Sequence, residues 1–208
     1  PRQYARTRRF SLGEPRSFRI SPDGTRIAFL RSRGGNDALT CLWVLERNEA
    51  KPGEGRWHER LVCDPTEILV GAASDGDLPA AERARRERLR EQADGITSFD
   101  ADRELTRTVF TLGGHVVVAS LIDDELQVLP TAPGAFDPRL SPDGAHVAYV
   151  AERTLRVVSA EGDEDDRALA GEADENVSWG TADFNAAEEF NRQRGFWWSP
   201  DSTRIVAA

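Results

Sequence analysis

The sequence predicts an all-β fold, a partial β-propeller of about three to four blades, and three observations predict it. One turn-and-strand pattern occurs three times, in FRISPDGTRIAFL (18–30), PRLSPDGAHVAYV (138–150) and FWWSPDSTRIVAA (196–208). Short strands with period-two alternation fill the intervals. Two segments alone break the β pattern with helix-forming composition, near 79–93 and 184–194.

Each copy joins an apolar end to a Ser-Pro-Asp turn and then to an alternating strand. The turns are Ser21-Pro22-Asp23, Ser141-Pro142-Asp143 and Ser199-Pro200-Asp201. Proline presets the backbone angle, the Asp carboxylate accepts from amides two residues on, and a following Gly takes the left-handed conformation. After the first turn, Thr25, Ile27 and Phe29 share one face of a strand. A degenerate fourth copy lies in ITSFDADRELTRTVF, where Asp100-Ala101-Asp102 replaces the turn. Further strands are expected at Leu42 to Leu45, His115 to Leu121, Leu126 to Leu129 and Leu155 to Val158. The turns at Ser141 and Ser199 stand roughly one blade apart, since four-stranded blades repeat at about 40–50 residues.

The first helical segment begins at Asp77-Leu78-Pro79, where Asp can cap and Pro suits the first turn, and runs through AAERARRERLREQA to about Ala93. Leu89 is its one large apolar residue, so it is a solvated insertion or an arm into a cavity rather than a core helix. The second is a short helix over about 184–194, capped by Asp183 and ended at Gly195. The acidic stretches 161–166 and 171–176 read as exposed loops.

The chain has 208 residues, a net charge of −9 and 39% hydrophobic content, enough for a sizeable core. The acidic balance argues against a nucleic-acid partner and is compatible with a cationic ligand. The basic run at 83–90 is interrupted by Glu82, Glu87 and Glu91 and does not change that reading. No run of about 18 apolar residues is present, so no membrane partner is expected. Cys41 and Cys63 make neither a disulfide framework nor a zinc spacing; they read as buried thiols and favour a cytoplasmic location. No metal or other cofactor is expected. The chain stops at Ala208 within an expected strand and reads as a piece of a longer protein.

The segment FNAAEEFNRQRGFWWSPD carries the candidate site. A glutamate pair inside a folded domain calls for a cation, and Glu188 and Glu189 are fixed here relative to a repeated turn. Neighbouring helical residues point about 100° apart, so both carboxylates reach one ammonium only if the helix is short or distorted. Trp197 and Trp198 are adjacent on a strand and face opposite sides, with packing as their main role. His58, His115 and His146 are scattered and read as structural, and Ser98, Ser199 and Ser202 as turn or strand residues. A bland reading stands beside the site reading: glutamate pairs are common on exposed helices. Arg90 likewise has a bland alternative in salt bridges to Glu87 or Glu91 along its own helix.

SWGTADFNAAEEFNRQRGFWWSPD resembles the glutamate motif of the dipeptidyl peptidase IV family of serine exopeptidases, within the prolyl oligopeptidase clan. ARRERLREQADGITSFD resembles the arginine-bearing helix and following strand of the cytosolic dipeptidyl peptidase 8 and 9 branch and of bacterial relatives. ARTRRFSLGEPRSFRISPDG resembles the opening of the bacterial propellers. The resemblance implies that residues 1–208 are the N-terminal part of a propeller of about eight blades, joined to an α/β-hydrolase domain absent from this chain. It implies release of N-terminal dipeptides, usually after Pro or Ala. Glu188 and Glu189 would bind the substrate α-ammonium, and Arg90 would hold a substrate carbonyl, with Arg86 and Arg88 as alternatives. The chain departs from the cytosolic pattern in following Arg90 with Glu91-Gln92-Ala93-Asp94. No catalytic residue is expected in these 208 residues, since Gly-x-Ser-x-Gly does not occur in them. The implied partners are peptides with free N-termini, the chain's own hydrolase domain and, as in relatives, a second copy in a homodimer. The competing expectation is a non-catalytic TolB-like propeller that binds a protein or peptide.

Overall fold

A computed structural model describes residues 1–47, 57–68, 94–174 and 176–208. The sequence-predicted helix at 79–93, with Arg86, Arg88 and Arg90, lies outside the described residues.

The described chain forms three antiparallel four-strand meanders, the first with an added short parallel strand, and a two-stranded hairpin. Sheet one contains β1 (Arg16–Ile20), β2 (Arg26–Ser32), β3 (Leu39–Arg47) and β4 (Trp57–Cys63), and β5 (Asp94–Gly95) pairs in parallel with the start of β3. Sheet two contains β6 (Asp100–Ala101), β7 (Arg107–Leu112), β8 (His115–Ser120) and β9 (Leu126–Val128). Sheet three contains β10 (Phe136–Leu140), β11 (His146–Ala151), β12 (Thr154–Ser159) and β13 (Arg167–Ala170). The hairpin of β14 (Phe196–Trp198) and β15 (Ile205–Ala207) forms the fourth sheet. Strand order follows sequence order in all of them, the meander that defines a propeller blade. The helices are brief: α1 (Arg2–Arg6), α2 (Pro65–Ile68) and α3 (Phe184–Glu188).

Alternation within the strands builds the stack. In β7 and β8, Phe110, Leu112, Val117 and Ala119 join one apolar cluster with Ala28, Leu30, Leu42 and Val44 of sheet one. Val109, Val116 and Val118 face the other way and join Val147, Tyr149 and Ala151 of sheet three. In the same strand of sheet three, Ala148 and Val150 turn towards Phe196, Trp198 and Ile205 of the fourth sheet. Each middle sheet is therefore buried on both faces, and period-two alternation supplies both neighbours at once.

The repeated turns hold their shape by one hydrogen-bond scheme. In the first, the Asp23 carboxylate accepts from the Ser21 hydroxyl at 2.6 Å and from the Thr25 amide at 3.0 Å, while Ser21 Oγ accepts from the Arg26 amide at 2.9 Å. Ser141–Asp143 and Ser199–Asp201 repeat it. The degenerate copy is a true one: the Asp102 carboxylate alone accepts from the amides of Thr106 at 2.7 Å and Arg107 at 3.0 Å, filling the places of both Ser and Asp. Adjacent turns also bond across blades, from the Arg103 amide to Pro142 O at 3.0 Å and from the Asp143 amide to Ser202 Oγ at 3.1 Å.

Cys41 and Cys63 are free and buried, and burial pushes the Cys63 thiol up to about 12. Among the described residues, no helix is long and apolar enough to cross a membrane.

Candidate functional site: the glutamate segment and the inner strands

Residues 171–195 connect the outer strand β13 to the inner strand β14, and this connection carries Glu188 and Glu189. It is fastened at several points. The Trp179 amide donates to Arg153 O at 2.9 Å. Gly180 has φ +76, and a Cβ there would lie 3.0 Å from Val150 and 3.2 Å from Phe196. Thr181 and Arg194 form an antiparallel bridge that closes the connection into a loop.

Within the loop, Asp183 caps α3 as the sequence predicts, accepting from the Ala186 amide at 2.9 Å. The helix starts at the expected place and is shorter than the expected 184–194: it spans five residues, Phe184–Glu188, with Glu189 as its C-cap. Asn191 then takes φ +51, and the chain folds back. Gly195 does not end the helix. It is buried against the backbone of Gly180, where a Cβ would meet Gly180 C at 2.2 Å. The sequence reading found the right residue and the wrong reason for it.

Ala186 and Ala187 are the buried face of α3, and Glu188 and Glu189 are exposed. Phe184 and Phe190, on either side of them in sequence, are 70% and 79% exposed. The helix is a little more than one turn long, and Glu189 at its end keeps right-handed helical dihedrals, φ −87 and ψ −36. The returning segment also touches the inner strand. The Arg192 guanidinium lies 5.9 Å from the Trp197 ring centre and that of Arg194 lies 6.0 Å from it, both in cation–π range. Trp197 is exposed, whereas Trp198 packs into the third apolar cluster and donates its indole N–H to Arg139 O at 3.1 Å. The expected opposite facing of the two rings is observed.

A second polar group was missed in the sequence. Arg19, Asp100, Arg139 and Trp197 occupy one register position on the four inner strands, paired with Ala28, Val109, Ala148 and Val206. Arg139 ion-pairs with Asp137 and stands 3.6 Å from Asp100. Burial raises the Asp100 carboxyl, against the pull of Arg139, Arg194 and Arg19. Burial and the like charge of Arg139 lower the Arg194 guanidinium. The signal was available: the residue two before each Ser-Pro-Asp turn is Arg in the first two copies and Trp in the third. A similar oversight concerns 161–166, read as a solvated acidic loop. Asp166 within it is largely buried and forms an ion pair with Arg156 at 2.8 Å.

Of the sequence-predicted site residues, Glu188 is the last residue of α3 and Glu189 its C-cap, both exposed, and Arg90 lies outside the described residues. Residues 110–208 match a family model described as the dipeptidyl peptidase IV (DPP IV) N-terminal region. The DPP IV N-terminal match begins within β7 and takes in sheet three, the whole glutamate loop and the β14–β15 hairpin. The part of this partial propeller that carries the acidic pair is thus similar to the DPP IV N-terminal region.

Proposed function

We propose that this chain is part of the substrate-recognition propeller of a serine exopeptidase that releases N-terminal Xaa-Pro or Xaa-Ala dipeptides. The reading is supported most by one observation: an exposed glutamate pair at the end of a helix of five residues, inside the segment that matches the DPP IV N-terminal region. In this reading Glu188 and Glu189 accept charge-assisted hydrogen bonds from the substrate ammonium, each contributing on the order of 1.5–3 kcal/mol. A peptide with further residues before the ammonium position would collide with the loop, so the pair sets the cleavage distance. Arg90 holds a substrate carbonyl, and the nucleophile, its base and the second-residue pocket belong to a hydrolase domain outside these 208 residues. The resemblance of 84–100 to the cytosolic 8 and 9 branch and bacterial relatives supports a cytoplasmic enzyme.

The experiment is an assay of the full-length protein on Gly-Pro and Ala-Pro chromogenic substrates at neutral pH. Release of the chromophore, lost in Glu188→Ala and Glu189→Ala, supports the reading. No release, or release indifferent to both substitutions, refutes it.

A further inference from the structure

We infer that Arg192 and Gln193 are positioning residues for the glutamate pair, clasping the last turn of α3 so that Glu188 and Glu189 face a single ammonium group. The inference rests on the amine-receptor reading above and goes beyond it to the residues that make the receptor a fixed object.

A helix of five residues does not persist by its own hydrogen bonds. Its last carbonyls have no partners further along the helix, and the chain must supply them from elsewhere. Here the supply is the returning segment. The Arg192 amide donates to Ala186 O at 2.8 Å, and the Gln193 side-chain amide donates to Ala187 O at 3.1 Å. These are the carbonyls immediately before Glu188. Gln193 is held for its donor: its own side-chain oxygen is buried and has no hydrogen-bond partner among the described residues.

The Arg192 guanidinium joins three parts of the loop. One nitrogen donates to Arg194 O at 3.0 Å, on the strand that bridges back to Thr181. Another stands 3.6 Å from Asp183, the carboxylate that caps the start of α3. The plane approaches Trp197 of the inner strand at 5.9 Å. Start of helix, neck of the loop and inner strand are thereby referred to one planar group, while the main-chain amide of the same residue holds the end of the helix. Lysine has a compact charge in place of the fork and cannot make all three contacts.

The test uses the full-length protein, an Ala-Pro chromogenic substrate and active-site titration with a serine-reactive organophosphorus probe. Arg192→Ala and Gln193→Ala are expected to raise KM roughly 10–100-fold per titrated site, the scale of a small misplacement of binding groups. Arg192→Lys is expected to restore part of that loss. A merely structural role would lower the number of titratable sites and leave KM as in the wild type, and that result overturns the inference. Glu188→Gln separates the two levels. If it keeps the wild-type KM, the amine-receptor reading fails; if it raises KM while Arg192→Ala and Gln193→Ala do not, the clasp alone fails.

Discussion

Gly195 packs directly on the backbone of Gly180: a methyl group on Gly195 would stand 2.3 Å from the Gly180 carbonyl oxygen and 2.4 Å from the Thr181 amide nitrogen. This contact closes the neck of the loop that presents the glutamates. Both obstructing groups are backbone, so no side chain can swing aside. Gly195→Ala should destabilise the full-length protein by about 1–3 kcal/mol, the usual range for overpacking. Gly34→Ala, with nothing within 4 Å of the new methyl, should be near neutral. Chemical denaturation of the two variants checks the difference.

Asp102 does the work of two residues in the second sheet's turn. Asp102→Ala removes acceptors for the Thr106 and Arg107 amides and for the Thr106 hydroxyl, at 2.7, 3.0 and 2.5 Å. The side chain is buried, so a loss of about 1–3 kcal/mol is expected from the donors left unpaired. Asp102→Ser, which imitates Ser21 and Ser141, should recover the bond to the Arg107 amide and only part of the stability. Urea midpoints for the three proteins give the order wild type, then Ser, then Ala.

The three Ser-Pro-Asp turns make stability depend on acid. The Ser21 hydroxyl and the Thr25 amide hold the Asp23 carboxyl down at about 2. Ser141 and Ser199 lower Asp143 and Asp201 in the same way. A carboxyl depressed by folding stabilises fully above its unfolded value, near 3.9, and that contribution is lost as pH falls through the folded value. The melting temperature should therefore drop between about pH 4 and pH 2. Ser21→Ala should make the drop shallower by removing the largest cause of the Asp23 shift. A melting curve series across that window reads both effects.

The adjacent tryptophans should differ in what they contribute to stability. Trp198→Phe loses the 3.1 Å bond to Arg139 O within an apolar cluster and should cost about 1 kcal/mol. Trp197→Phe keeps an aromatic face for Arg192 and Arg194 on an exposed side and should cost less. Thermal unfolding of the pair distinguishes them.

The blades were legible because Ser-Pro-Asp turns and period-two strands write both faces of a middle sheet into the chain. The outer strand Leu126–Val128 was expected, but two other outer strands were not. Trp57–Cys63 and Arg167–Ala170 are half exposed, with burial running from solvent inwards along the strand rather than alternating, so no period marks them. Asp183 was readable as a cap because capping is local. The role of Gly195 was not, because its partner is Gly180, and closeness of two backbones leaves no pattern in one strand of letters. The repeated position two residues before each turn was readable, but the meeting of Asp100, Arg139 and Arg194 was not, because charges from three segments come together only when the inner strands are side by side.

The most direct test is a crystal structure of the full-length protein with a bound Xaa-Pro dipeptide. An amine receptor at the end of α3 requires the dipeptide ammonium within hydrogen-bond distance, about 2.7–3.2 Å, of both Glu188 and Glu189. An ammonium bound elsewhere, with both glutamates turned to solvent, would contradict it.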